Sequence, residues 1–223
     1  MAIKLSNVSK DYGGSNIKFK DLTFNDNESY VILGPSGCGK STLLNMISGE
    51  LKVTSGNINI DTDKKTINIE KLSSKEILKY RSENIAYVTQ DFKVFESFTV
   101  ADNLNLVSEI KGKKENIDRV LVKVGLKNKK RSLVKNLSGG EKQRVVIARA
   151  MLLGGNIILC DEPTASLNYN LAEEIIKLIV DFHKKSNSIL IVVTHDDRLT
   201  KYFDNVLYRE DIIREEKTCL NMQ

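Results

Sequence analysis

The sequence contains no apolar run approaching the roughly 18 residues that a membrane-spanning helix requires. Residues 1–10 have no long apolar stretch of the signal-peptide type, so we expect the chain to stay in the cytoplasm. Cysteine is scarce, and Cys38, Cys160 and Cys219 are too far apart to suggest a disulfide framework or a zinc site. Only two prolines occur, and no Pro/Ser-rich linker or internal repeat divides the chain.

The composition fits one domain over residues 1–223. Hydrophobic residues make up 41% and charged residues 28%, which is ordinary for a globular domain with a sizeable core. The net charge of +5 suits an anionic ligand or a membrane surface without excluding other partners. The strongest basic cluster, residues 127–135, is typical of a solvated loop face rather than a nucleic-acid site.

Short, nearly continuous apolar runs indicate strands buried on both faces, as in a parallel sheet: residues 30–33, 85–89, 157–160 and 189–194. Between them, apolar residues at helical spacing predict amphipathic helices at about 170–185 and 117–124. This alternation favours a wound α/β core. His183 is expected near the polar side of its helix and is given no role.

Two regions depart from this alternation. The first 25 residues and residues 56–60 show short alternating apolar patterns, which predict a small antiparallel sheet. Residues 92–136 contain no buried-strand run and predict a helical subdomain inserted in the core.

A phosphate-loop pattern, G-x-x-x-x-G-K-[ST], lies between a predicted strand and a helix-compatible run that begins at Thr42. Its members are Gly34, Pro35, Ser36, Gly37, Cys38, Gly39, Lys40 and Ser41. Glycines let successive amides point at phosphates, and the helix N-terminus adds a favourable dipole. Lys40 supplies a charge for the β- and γ-phosphates and Ser41 a hydroxyl for Mg²⁺, so we expect ATP or GTP to bind. Cys38 is either a small residue that fits the loop or a thiol whose thiolate Lys40 favours.

Polar residues also follow the other buried strands. Asp161 and Glu162 come after residues 157–160, while Gln90 and His195 follow two further runs. Ligands bind outside the carboxyl ends of parallel strands, so we expect these groups beside the phosphate loop. Asp161 is expected to hold Mg²⁺ and Glu162 to polarise the attacking water. The alternatives are a surface turn for the acidic pair and a structural role for the histidine.

The most specific string, LSGGEKQR, covers residues 137–144. Ser138 and Glu141 form a capping-box pattern ahead of an apolar run. Gly139 and Gly140 leave the first-turn amides uncovered, so this helix start can bind an anion. An ordinary helix cap is the alternative. Because the chain already has one phosphate loop, a second anion site implies a second nucleotide contact, for which another molecule is one source.

With this string, the sequence resembles the ATP-binding cassette (ABC) transporter ATPases over nearly its whole length. Residues 34–41 resemble Walker A, Gln90 the Q-loop, 157–162 Walker B, 165–168 the D-loop, His195 the switch histidine and Tyr12 the aromatic residue that stacks on adenine. Asn168 departs from the Asp that usually ends the D-loop, and it lacks the charge. Residues 34–45 look most like the export branch with lipoprotein-releasing, macrolide and antimicrobial-peptide systems.

The resemblance implies a phosphate-loop NTPase core, ATP hydrolysis and a head-to-tail dimer, most simply of two copies, around two ATP–Mg²⁺. Each ATP would be closed over by Ser138, Gly139 and Gly140 of the other subunit. Glu162 would be the general base, and His195 would contact the γ-phosphate.

The resemblance also implies a transmembrane permease subunit as partner, with this chain peripheral at the inner face of the cell membrane, and no nucleic acid. Gln90 would bind Mg²⁺ and link the site to the helical subdomain. Phe92, Phe95 and Phe98, or a subset of them, would line a groove for a cytoplasmic helix of the permease. The alternative is that these rings pack the core of the subdomain.

Two other functions are open at this point. A cassette acting on ribosomes or DNA is disfavoured by the single cassette and by the lack of sustained heptads between Ser41 and Leu137. A binding-only regulatory subunit is disfavoured by Glu162 and His195, and Asn168 is the one feature in its favour.

Overall fold

The computed structural model describes residues 1–89, 91, 93–111, 116–165 and 167–214. Gln90, Phe92 and Ser166 of the predicted motifs lie outside the described residues. The strands are β1 (Ala2–Asp11), β2 (Asn16–Lys18), β3 (Leu22–Asn25), β4 (Ser29–Leu33), β5 (Ser55–Asp61), β6 (Thr66–Asn68), β7 (Ile85–Val88), β8 (Ile157–Asp161), β9 (Ile189–Thr194) and β10 (Asn205–Tyr208). The α-helices are α1 (Lys40–Ile47), α2 (Ser74–Asn84), α3 (Val100–Lys111), α4 (Ile117–Lys123), α5 (Gly139–Leu153), α6 (Tyr169–Ser186) and α7 (Arg209–Ile212). None of the helices in the described ranges is both long and apolar enough to cross a bilayer.

The central sheet is parallel, with strand order β10-β4-β9-β8-β7. Every residue of β4 and β9 is buried, as continuous apolar runs predict, and all the predicted parallel strands are confirmed. In the register, Leu33 pairs with Thr194 and Asp161 with Val193, so β4, β8 and β9 end at one edge. Sequence reasoning missed β10, because this edge strand has only four residues and alternates in exposure.

The predicted small antiparallel sheet is also confirmed. In it β1 pairs with β2, β3 and β5, and β6 pairs with β5. The β1–β5 register shifts between Ser6 and Ser9. Opposite this shift, a Cβ on Gly56 would lie 2.3 Å from the carbonyl oxygen of Asn7, and Gly56 has a φ of 84°. Only glycine fits this approach of two backbones.

Three apolar clusters hold the elements together. One fills the space between the two sheets around α1, and a second lies between the parallel sheet and helices α5 and α6. The third joins α3 and α4 to α5. Helix α5 contributes to both of the latter: Val146, Ile147 and Ala150 face the sheet, while Val145, Ala148 and Leu152 face the helices. The limit of the helical subdomain at residue 136 remains a prediction.

The position of His183 differs from the expectation. In α6, Ile175, Ile179 and His183 follow one another at four-residue spacing and are all buried. His183 is 3% exposed, its Nδ1 lies 3.4 Å from Ser188 Oγ, and burial lowers its pKa. The prediction that it lies near the polar side is wrong, because its register with Ile179 places it on the apolar face.

Candidate active site

The phosphate loop joins β4 to α1 at the carboxyl edge of the parallel sheet. Gly39 is the N-cap of α1 with a φ of 101°, and Lys40 is the first helical residue. A Cβ on Gly39 would lie 3.2 Å from Ile17 and 3.6 Å from Ile213, so β2 and the chain after α7 support the loop from behind. Sequence reasoning missed both isoleucines, and no motif marks them.

Cys38 packs within the loop itself. Its Sγ lies 2.9 Å from where a Cβ on Gly34 would be, so the thiol fills the space that a glycine leaves beside it. The thiol is half-buried. Gly37 has a φ of 80°, and a Cβ added to it would have no neighbouring atom within 4 Å. The loop therefore faces open space at Gly37. The other loop residues, Pro35 and Ser36, lie between Gly34 and Gly37.

The ammonium group of Lys40 is turned onto the loop. Its Nζ donates hydrogen bonds to the carbonyl oxygens of Gly34 at 2.6 Å and Pro35 at 3.1 Å, and it lies 3.7 Å from Glu162 Oε1. Lys40 is only 6% exposed. A buried cation beside an uncapped helix N-terminus is a suitable site for an anion, and phosphate oxygens can replace these carbonyl partners.

Ser41 and Asp161 form an oxygen pair next to Lys40. Ser41 Oγ donates to Asp161 Oδ1 at 2.9 Å. Burial raises the pKa of the Asp161 carboxyl, the Ser41 hydrogen bond opposes this, and the charges of Glu162 and Asp91 add to it. A hydroxyl and a carboxylate fit Mg²⁺, which takes its remaining ligands from phosphates and water. No cluster of three or more His, Cys, Asp or Glu side chains that could hold a metal ion occurs among the described residues.

Glu162 and His195 meet at the ends of β8 and β9. His195 Nδ1 lies 3.0 Å from Glu162 Oε2, at hydrogen-bond distance. The Glu162 side chain is 14% exposed and the His195 side chain 60%. Glu162 has a φ of 45°, and its amide donates to the carbonyl of Val193 at 3.0 Å. A left-handed glutamate costs about 1 kcal/mol or more, and nothing in the sequence predicted it.

Tyr12 lies beside the start of α1. Its hydroxyl is 3.0 Å from Thr42 Oγ1, and its ring is 54% exposed. An exposed aromatic face fixed next to a phosphate loop can stack on a nucleotide base. Gln90 lies outside the described residues.

The turn at Ser138 is separate from these contacts. Ser138 Oγ accepts from the amide of Glu141 at 3.3 Å, and Glu141 Oε2 accepts from the amide of Ser138 at 2.9 Å, which completes a capping box. Ser138 and Gly139 are exposed, whereas Gly140 is buried against Leu171. Within the described chain, no hydrogen bond or ion pair joins residues 138–140 to residues 34–41.

Asn168 has a local structural function. It is the N-cap of α6, and its Oδ1 accepts from the amide of Leu171 at 3.1 Å. Asn and Asp cap helices about equally well, so the departure from Asp leaves this helix start intact.

A phosphate loop between a buried strand and a helix, with an acidic pair and a histidine at the ends of the adjoining strands, defines a nucleotide-hydrolysing protein of the phosphate-loop class. Residues 17–165 match the ABC transporter family. The chain belongs to this family.

Known proteins of the family cover most of the chain. The lipoprotein-releasing system ATP-binding protein LolD of Legionella pneumophila is 35% identical over 196 residues, which are 86% of this chain and 85% of LolD. The methionine import ATP-binding protein MetN of Carboxydothermus hydrogenoformans is 38% identical over 191 residues, 83% of this chain and 55% of MetN. A dimeric post-hydrolysis structure of the ATP-binding cassette MJ0796 with ADP and Pi has a TM-score of 0.80 at 32% identity, over 92% of this chain and 93% of that one. The chain is therefore an ABC ATPase that binds ATP.

Proposed function

We propose that two copies of this chain close head to tail around two ATP–Mg²⁺ and drive export through a separate membrane permease. The observation that supports this most strongly is the contrast between two anion sites. Lys40, Asp161, Glu162 and His195 lie together, while the Ser138 turn is exposed and outside their contacts. The MJ0796 cassette that resembles this chain is dimeric, which supports closure by a second subunit.

The proposed chemistry assigns each group to one part of phosphoryl transfer. The loop amides and Lys40 bind the β- and γ-phosphates, and Ser41, Asp161 and the undescribed Gln90 hold the metal. When bound, Mg²⁺ neutralises charge on the phosphate oxygens. Glu162 accepts a proton from the attacking water.

The remaining contacts complete the pocket. His195 contacts the γ-phosphate, and its hydrogen bond to Glu162 keeps the two side chains beside each other. Tyr12 stacks on the base, while Ser138, Gly139 and Gly140 close the pocket from the second subunit.

A Glu162→Gln variant tests the catalytic assignment. The amide keeps the shape and hydrogen-bonding capacity of the side chain but cannot accept the proton, so steady-state phosphate release should fall about 100-fold or more. Binding of ATP should persist, measured with a fluorescent ATP analogue. Equal phosphate release by the variant and the wild type would contradict the role of Glu162.

The surface around Phe95 and Phe98 supports the permease contact. The rings stack with centroids 5.4 Å apart and are 50% and 42% exposed, so each offers apolar surface to a partner. Asn103 holds the backbone here, because it accepts from the amide of Phe95 at 2.9 Å and donates to its carbonyl at 3.0 Å. Phe92, the third aromatic residue of the predicted groove, lies outside the described residues.

A cavity of about 170 Å³ lies between the end of β7 and helix α5, and one of its lining residues, Arg149, connects it to Phe95. Tyr87, Lys93 and Arg149 are among its lining residues. The Arg149 guanidinium lies 6.0 Å from the Phe95 ring and donates to the carbonyl of Lys93 at 2.5 Å. We assign this groove to a cytoplasmic helix of the permease.

Alanine variants at Phe95 and Phe98 test the groove. They should lower ATPase activity stimulated by the permease, and transport, while basal ATP binding by the isolated chain stays unchanged. Leu78→Ala is the matched control, because Leu78 is 66% exposed on α2 and does not line the cavity. Loss of folding at Phe95 or Phe98, or equal loss in the Leu78 control, would contradict a docking role.

The direction of transport rests on the resemblance to the export branch and on LolD, which this chain covers more completely than MetN. MetN is named for import, so direction needs its own experiment. The chain should co-purify with a permease at the inner face of the membrane, and the reconstituted pair should move substrate away from the ATP-containing side. Co-purification with ribosomes or DNA instead would contradict the proposal.

A further inference from the structure

The residues directly after His195 are held in place by a short series of hydrogen bonds. The amide of Asp196 donates to Thr194 Oγ1 at 3.2 Å. Asp196 caps the 3₁₀ helix Asp197–Tyr202, and both its carboxylate oxygens accept from the Arg198 guanidinium, each at 2.7 Å. A bidentate pair of this kind fixes the plane of the guanidinium group as well as its position.

That guanidinium also contacts the start of α6. The centre of the Arg198 guanidinium lies 4.6 Å from the centroid of the Tyr169 ring, at the distance of a cation–π contact. Tyr169 is half-buried and is the first residue of α6, directly after the N-cap Asn168. Lys201 adds a second, weaker cation, 6.0 Å from the ring, and its Nζ donates to the Tyr169 hydroxyl at 3.3 Å.

These contacts join the chain after β8 to the chain after β9 at two points. At the sheet edge, Glu162 contacts His195, and farther out Tyr169 contacts Arg198. Asp196, between His195 and Arg198, carries the connection from one contact to the other. The His195 side chain is 60% exposed, so packing alone does not hold it against Glu162.

We propose that Tyr169 and Arg198 are positioning residues that keep His195 in register with Glu162, a role that rests on the catalytic roles proposed above for those two residues. The buried Leu199 anchors the 3₁₀ helix in the core, and loss of the Tyr169–Arg198 contact removes a constraint on the residues directly after His195. Misplacement of a catalytic group by about 1 Å can cost on the order of 100-fold in rate.

The first experiment reads the position of His195 without any reaction. The chain has two histidines, so the ring ¹H–¹⁵N spectrum of the nucleotide-free protein contains a reporter, His195, and an internal reference, the buried His183. Tyr169→Leu keeps apolar bulk but removes the aromatic face, whereas Tyr169→Phe keeps the face and removes only the hydroxyl.

We expect the His195 ring signals to shift or broaden in the leucine variant and to stay unchanged in the phenylalanine variant, with His183 constant in both. Unchanged His195 signals in Tyr169→Leu would overturn the proposal. If the His183 signals also shift in Tyr169→Leu, the Arg198→Gln variant replaces it, because this variant removes the cation of the same contact. Unchanged His195 signals in Arg198→Gln would then overturn the proposal.

The second experiment separates positioning from binding by steady-state ATPase kinetics. Tyr169→Leu should lower kcat on the order of tenfold and change KM for ATP by less than about twofold, while Tyr169→Phe stays near wild type. Lys201→Ala is the control for general loss of charge near the ring, and its kcat should not change. The double variant Tyr169→Leu, Arg198→Gln should be no slower than the slower single variant, because both remove one contact.

The proposal would be overturned if the losses of kcat in the two single variants multiplied in the double variant. It would also be overturned if Tyr169→Leu and Tyr169→Phe lost kcat equally. Failure of the proposed function is distinguishable from this outcome. If Glu162→Gln retains full phosphate release, the catalytic roles are wrong, yet the histidine spectra still report whether Tyr169 positions His195.

Discussion

Two helix N-termini in this molecule can receive phosphate oxygens, and they differ in how their polar groups are satisfied. At α1, the N-cap Gly39 offers no side-chain hydrogen bond, and buried Lys40 lies against loop carbonyls. At α5, the side chains of Ser138 and Glu141 accept from each other's amides in a complete capping box, which does not include the amides of Gly139 and Gly140, and Ser138 and Gly139 are exposed. The N-terminus of α1 therefore has no side-chain cap, whereas that of α5 is capped by its own side chains. This difference supports our proposal that the α1 site holds the nucleotide and that the α5 turn contacts a nucleotide held by another subunit.

The largest expected effect comes from damaging the two sites in different molecules. Lys40→Ala removes the cation of the phosphate loop. Gly139→Asp places a carboxylate at the first turn of α5, where it stabilises the helix but repels a triphosphate. Each variant alone should lose on the order of 100-fold in ATPase activity.

Mixing these two inactive variants should restore activity, up to roughly a quarter of the wild-type rate, because each mixed dimer has one pocket with both sites intact. Gly139→Ala is the control, since its Cβ meets only Leu167 at 3.9 Å and adds no charge. Activity that stays absent on mixing would mean that both sites serve the same molecule, and the contrast between them would then be wrong.

Nucleotide binding by the isolated chain also distinguishes the N-terminus of α1 from that of α5. Gly139→Asp should bind a fluorescent ATP analogue within about threefold of wild type under conditions where the chain is monomeric, because the phosphate loop is complete in each subunit. Lys40→Ala should bind at least about tenfold more weakly, since a charge-assisted contact is lost. Equal weakening in both variants would show that Gly139 belongs to the subunit's own pocket.

The start of helix α6 tests whether helix capping is the whole function of the Asn168 side chain. Asn168→Ala should lower the free energy of unfolding by about 1 kcal/mol, because the amide of Leu171 loses its acceptor. Asn168→Asp should stay within about 0.5 kcal/mol of wild type, since Asp caps equally well. Urea denaturation at neutral pH measures both, and a marked loss in the Asp variant would mean that the amide has a further partner.

The smallest effect concerns the strand that carries the phosphate loop. Asp204 accepts from the amide of Ser29 at 2.9 Å and from its hydroxyl at 2.6 Å, and these bonds lower the pKa of the Asp204 carboxyl. The ionised Asp204 carboxylate stabilises the folded state fully above the ordinary pKa of aspartate. This stabilisation is lost as the pH falls through the lowered pKa of Asp204 in the folded protein.

Between neutral pH and about pH 3, wild type should therefore lose more unfolding free energy than Asp204→Asn, by about 0.5 kcal/mol for this partly exposed group. Urea denaturation of both proteins across this range provides the measurement. A larger acid loss in the Asn variant would contradict the sign of the shift.

Local patterns were sufficient for much of the architecture. Continuous apolar runs identified four strands of the parallel sheet, since a strand buried on both faces leaves no room for polar residues. The capping box at Ser138 was also visible, because Ser and Glu at three-residue spacing complete each other within a single turn. Strand β10 was not predicted, because its four residues alternate between exposed and partly buried positions. The position of His183 was predicted wrongly, because a shift of one residue along a helix moves a side chain from the polar to the apolar face.

Motif spacing thus revealed which chemical groups the chain carries and on which strand ends they lie, because these depend on neighbours along the chain. Their mutual arrangement depends on strand order and register, which bring Leu33 beside Thr194 and Asp161 beside Val193 from distant parts of the sequence. The left-handed backbone of Glu162, the isoleucines behind Gly39 and the Tyr169–Arg198 contact arise only there. The hydrogen bond from the Glu162 amide to Val193, like the other two features, is a contact between segments far apart in the chain, and no local pattern encodes the distance between such segments.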